Sequence, residues 1–175
     1  MEKTNSPTAR LLVLTGERFA CVKIIGRATL HVSLDFRTLL TELLARGYAC
    51  FVFDLSECTL MDSTFLGILA GFGLKLRRDG PAAADVTLLN PNERVLELLE
   101  NLGLTELFRV ARGSITPPEP VETRAAACTP ASREELARAC LEAHETLMAL
   151  KPENVARFKD VARFLAEDLE RKRES

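Results

Sequence analysis

Residues 51–78 read FVFDLSECTLMDSTFLGILAGFGLKLRR, and the fold turns on them. The segment opens on a short, almost unbroken apolar run, which suits a central strand buried on both faces. A turn follows, and then an apolar helix that carries three glycines. Its first turn gathers Asp62, Ser63 and Thr64. The first four N–H groups of a helix lack internal partners, so oxygen side chains there act as caps, and a carboxylate suits the positive end of the helix dipole. Capping alone accounts for Asp62 or Ser63 taken singly. The glycines ask for more, because each costs about 1 kcal/mol relative to alanine inside a helix. Gly67 and Gly71 are four apart and share a face. That face fits a close approach, either within the chain or to a partner. Gly73 lies on another face and is read as merely tolerated.

Upstream, LLVLTG and ERFACVKIIGRA read as two strands with a hairpin turn at Gly16 and Glu17. SLDFRTLLTELLARG follows as an amphipathic helix, with Leu34, Leu39, Leu43 and Leu44 apolar and Gly47 as its stop. Downstream, VTLLN reads as another buried strand. NPNERVLELLENLG is a helix with Val95, Leu98, Leu99 and Leu102 on one face, and LTELFRVA reads as a last strand. The order β-β-α-β-α-β-α-β predicts an α/β fold, with a mixed, mostly parallel sheet and packed helices.

This domain is expected over residues 1–112. At 113–131 the prolines and alanines of TPPEPVETRAAACTP mark a linker. Residues 132–175 read as a helical hairpin. Ser132 and Glu135 have the spacing of a capping box, and Leu136, Cys140, Ala143 and Leu147 form the first stripe. Pro152 opens a second helix, with Val155, Phe158, Ala162, Leu165 and Leu169 as its stripe. These stripes must be buried against the same chain, a second copy in a homodimer, or another protein.

The quoted segment resembles the signature of STAS domains, the family of anti-sigma factor antagonists. That signature is an apolar strand ending in Asp-Leu-Ser, a short turn, then Met-Asp-Ser-Ser-Gly-Leu-Gly opening a helix. Asp54, Leu55 and Ser56 match the strand end. Met61, Asp62 and Ser63 match the motif start, and Leu66, Gly67 and Gly71 match the helix. NPNERVLELLENLGLTELFRV resembles the family's closing helix-strand unit, so the likeness spans about residues 10 to 112. Phe65 stands where the family usually has glycine, and Arg27, Ala28 and Thr29 where many members carry acidic or polar residues.

The resemblance implies a non-enzymatic, protein-binding switch. Ser63 would be phosphorylated by a partner that is both anti-sigma factor and serine kinase, with Thr64 as a secondary hydroxyl. A serine phosphatase would reset it. Asp54, Asp62, Ser63, Thr64, Phe65 and Gly67 would form the partner-binding surface. An accessory or scaffold subunit without phosphorylation, such as one serving a lipid-transport ATPase, is the other reading. No cofactor or metal is implied.

A formal charge of −2 and the lack of a basic patch point away from nucleic acid. No apolar run reaches the roughly 20 residues needed to span a bilayer, and the polar N-terminus lacks a signal core, so a cytoplasmic setting is expected. Five scattered cysteines and two distant histidines do not suggest a disulfide framework or a zinc site. His31 reads as a surface or capping residue. Cys50 is expected in the core, and Cys58 in an exposed turn.

Overall fold

The computed structural model describes residues 9–82, 84–114, 122–125 and 130–174. A hairpin of β1 (Arg10–Thr15) and β2 (Phe19–Ala28) leads into α1 (Leu30–Ala45). Next come β3 (Cys50–Asp54), β4 (Cys58–Met61), α2 (Ser63–Asp79), β5 (Asp85–Leu89), α3 (Glu93–Leu102) and β6 (Arg109–Ala111). A last strand, β7 (Glu122–Ala125), precedes α4 (Arg133–Leu150) and α5 (Glu153–Arg173).

The sheet runs β6-β5-β3-β2-β1-β7, with β4 alongside β2. β2, β3, β5 and β6 are mutually parallel, and β1 is antiparallel to both β2 and β7. The expected mixed, mostly parallel sheet is therefore present. Two strands lie outside the expected order. β7 forms inside the segment read as a linker; residues 115–121 and 126–129 lie outside the described residues. β4 forms because β2 outruns β3: Gly26 takes φ +89°, the register shifts there, and the last part of β2 pairs with residues 58–61. The strand read at LTELFRVA is shorter than expected. Gly103, at φ +86°, turns the chain into a single 3-10 turn over Leu104–Glu106, and β6 begins only at Arg109.

Side chains alternate across a strand, and this sorts the sheet's two faces. Val22, Ile24, Phe51, Phe53 and Leu88 are sealed against the helices. Phe36 of α1 meets Phe53 edge-on at 5.5 Å, and Phe72 of α2 meets Phe51 at 5.0 Å. The intervening residues Cys21, Lys23, Cys50 and Asp54 therefore belong to the opposite face. Cys50, expected in the core, is exposed: it is the first residue of β3 on that face, whereas Val52, two residues on, is buried. Cys58, expected in an exposed turn, is buried, because β4 carries it into the core. His31 is exposed on the first turn of α1. Gly47 closes α1 at φ +88°, with the Gly47 and Tyr48 amides bonding back to the Leu44 and Leu43 carbonyls.

The tail forms the expected helical pair, and Ser132 and Glu135 form the expected capping box. Of the second stripe, Ala162 is buried while Val155 is exposed. The turn between the two helices is tied to the sheet domain by the buried Asn154. Its side-chain amide donates to the Leu102 carbonyl at 3.0 Å and to the Leu147 carbonyl at 2.8 Å. Lys151 Nζ adds a bond to the Asn101 carbonyl at 3.2 Å.

Candidate functional site

Asp62 caps α2 and also joins two helix starts. Its Oδ1 accepts from the Phe65 amide at 2.8 Å, and its Oδ2 accepts from the Leu30 amide at 2.7 Å. The first N–H of α1 and an early N–H of α2 thus share one carboxylate, which fixes the α2 N-terminus against α1. The Asp62 amide bonds in turn to the Ala28 carbonyl at 3.0 Å, so the end of β2 sets the position of the cap.

Ser63 is the first residue of α2 and is half-buried. Its Oγ lies 2.8 Å from Nε2 of His144 on α4. The other ring nitrogen, Nδ1, lies 2.7 Å from the Cys140 carbonyl, an atom that only accepts. In the neutral ring Nδ1 therefore carries the hydrogen, Nε2 accepts, and the Ser63 hydroxyl donates. The imidazole is 4% exposed and packs against Phe158 of α5 at 4.9 Å. A hydroxyl on an imidazole is also the start of a nucleophile–base pair. Here the ring is nearly sealed, and the bond serves to hold α4 against α2.

The same contact continues along the helix. Thr64 is buried, and its hydroxyl donates to Cys140 Sγ at 3.3 Å. One turn further, a Cβ placed on Gly67 would stand 2.4 Å from the Ala143 carbonyl oxygen, so only glycine permits this crossing. Gly71 is looser, its nearest neighbour being Thr146 Cγ2 at 3.9 Å. Gly73 is also closely packed: a Cβ there would stand 2.5 Å from the Phe108 ring, which would have to shift to admit it. An exposed pair of Arg37 and Glu142, at 2.9 Å, flanks the crossing.

The expected partner-binding residues thus fall into four groups. Asp62 and Ser63 form the helix start. Thr64 and Gly67 face α4 of the same chain, and Phe65 is a core residue stacked on Phe36 at 4.4 Å. Asp54 belongs to the other face of the sheet, where its Oδ1 accepts from the Ser56 amide at 3.0 Å in a local turn. Sequence reading missed His144 and Cys140 as members of the site. The available signal was their i, i+4 spacing along an apolar stripe that had to be covered.

Two thiols are held protonated. Burial, aided by the nearby Asp54 carboxylate, pushes Cys21 up to about 11. Burial likewise raises Cys58, whose Sγ lies 3.5 Å from the Leu60 carbonyl.

The profile of the STAS domain matches residues 11–115, which hold β1 to β6 and α1 to α3 but not β7. The chain belongs to the STAS domain family. Its α4–α5 hairpin lies beyond the matched STAS segment. Among solved structures, the STAS fold is shared with the anti-sigma factor antagonist SpoIIAA in its unphosphorylated form. The identity is 20% and the TM-score 0.51, over 59% of this chain and 88% of that one. It is also shared with an anti-sigma factor antagonist from Mycobacterium paratuberculosis, at 16% identity and TM-score 0.52, over 59% and 85% of the two chains. None of the curated proteins matches the chain. Among the described residues, no helix is long and apolar enough to cross a membrane.

Proposed function

We propose that this STAS protein is a non-enzymatic partner switch of the anti-sigma factor antagonist kind. Unmodified, it binds an anti-sigma factor that is also a serine kinase; phosphorylation of Ser63 releases that partner, and a serine phosphatase restores binding. The observation that carries this reading is the position of Ser63. It is the first residue of α2, directly after the capping Asp62, at the motif position where the resemblance places the phosphoacceptor.

The physical chemistry supports such a role. A phosphate adds about −1.5 to −2 charges and strong acceptor oxygens. At a helix start, the dipole and free N–H groups accommodate it, so the sheet domain keeps its fold. At a partner interface the same dianion has to be desolvated beside Asp62, and affinity falls. Thr64 is the secondary acceptor only after uncovering, because its hydroxyl is turned into α4. The test is incubation with the serine kinases of its own genome, with the phosphate located by mass spectrometry. Phosphate on Ser63 is expected, and phosphate confined to other residues overturns the reading.

A further inference from the structure

The Ser63 hydroxyl is engaged by the protein's own tail, and this constrains any partner. A kinase or anti-sigma factor that reaches Ser63 has to meet the surface that α4 now occupies. We propose that the α4–α5 hairpin is a displaceable cover over the N-terminal half of α2, latched by His144 on Ser63, and that phosphorylation of Ser63 keeps it open. The proposal rests on the reading of Ser63 as the switch residue.

The hairpin has the features of an added cover. The STAS match ends at residue 115, and the solved relatives are matched over 85–88% of their own length while covering 59% of this chain. The STAS fold is thus built without these helices. The hairpin is held mainly through α4, which buries Ala139, Ala143, His144 and Leu147, whereas α5 buries only Asn154 and Ala162. The crossing is tight at Gly67 and open at its edge. A cleft of about 220 Å³ lies between α4 and α1–α2, bordered by Arg37, Gly67, Gly71, Lys75 and Glu142. A cover of this kind competes with a partner, weakening apparent affinity by the fraction of molecules that are open.

Phosphorylation should hold the cover open for a steric reason. The Ser63 hydrogen now donated to His144 Nε2 is lost when Oγ bonds to phosphorus, and the phosphoryl oxygens need the space the imidazole fills. The ring is held in place within the hairpin, packed against Phe158 at 4.9 Å with Nδ1 bonded to the Cys140 carbonyl. One turn along, the Gly67–Ala143 contact leaves no room for a compensating slide. Lifting the 140–144 turn is the remaining response, and it also leaves the phosphoserine open to a phosphatase.

Three native cysteines make this measurable in the full chain. Cys140 is half-buried, its Sγ engaged by the Thr64 hydroxyl, while Cys58 is buried in the core and Cys50 is exposed. Phosphoserine is installed at position 63 by genetic encoding, independently of any kinase, and iodoacetamide labelling of each cysteine is followed by mass spectrometry. The Cys140 rate, relative to Cys50, is expected to rise about tenfold or more, as for a site freed by local opening, with Cys58 still protected. The neighbouring dianion would by itself disfavour the thiolate and slow labelling, so a rise reports exposure. An unchanged or slower Cys140 overturns the proposal, as does Cys58 becoming reactive in step with Cys140. Ser63→Glu provides a second chain with the same expected direction and the same refuting outcomes. Failure here leaves the kinase test of the switch standing, since the phosphate is supplied rather than acquired.

Discussion

Gly67 and Gly71 offer a controlled comparison of what α4 does to α2. Both sit inside the same helix, four residues apart, and both gain about 0.4–1 kcal/mol from replacement by alanine through backbone entropy and propensity. That gain cancels between them. What differs is the space. At Gly71 the new Cβ finds Thr146 Cγ2 at 3.9 Å, an ordinary contact, so Gly71→Ala is expected to stabilise the protein by about the full gain. At Gly67 the Cβ falls 2.4 Å from a backbone oxygen and 2.6 Å from the Ala143 Cβ, and backbone cannot swing aside as a side chain end can. Overpacking of this kind costs typically 1–3 kcal/mol, or α4 is pushed off and its packing is lost. Gly67→Ala should therefore unfold at lower urea than Gly71→Ala, with the two separated by about 1–3 kcal/mol. Urea titrations of both variants beside the parent protein measure this. If the two substitutions stabilise equally, α4 does not lie on Gly67, and the account of the cover fails with it.

Other consequences follow from the same contacts. Asp62→Ala removes acceptors from both the Phe65 and Leu30 amides and is expected to cost about 2–3 kcal/mol in urea denaturation; Asp62→Asn, which keeps one acceptor, should fall between it and the parent. Phe65→Ala, at a fully buried ring stacked on Phe36, should cost about 3–5 kcal/mol. Thr64→Cys places a thiol beside native Cys140, where Oγ1 and Sγ are now 3.3 Å apart. Mild oxidation should join the two and abolish Ser63 phosphorylation by the partner kinase, and a reductant should restore it. Cys21 has a native value near 11 against an ordinary 9.0, so the folded protein holds this proton more tightly than the unfolded chain. Its contribution to stability is present below pH 9 and declines towards pH 11. Labelling of Cys21 in the folded protein should stay slow at pH 9, where exposed Cys50 reacts.

The central strand, the capped helix and the closing helix were legible because each is written in local chemistry: an apolar run, an oxygen-rich start, a glycine stop. β4 was hidden because its four residues pair only where β2 is bent at Gly26, a tertiary circumstance. Cys50 is exposed for a related reason, since it opens β3 while the residues after it, Phe51 to Phe53, are buried. The Gly67 face is legible as a close approach, but its partner in the chain lies about 75 residues further along, and nothing local announces such a distant contact. His144 is the clearest case. Its spacing from Cys140 could be seen, while its role emerges only when α4 is laid across the start of α2.

Affinity of the partner kinase for the full chain with and without phosphate on Ser63, read by calorimetric titration, tests the switch most directly. A loss of about a hundredfold or more on phosphorylation, equivalent to roughly 2.7 kcal/mol, is the predicted result. Equal affinity of the two forms would contradict it.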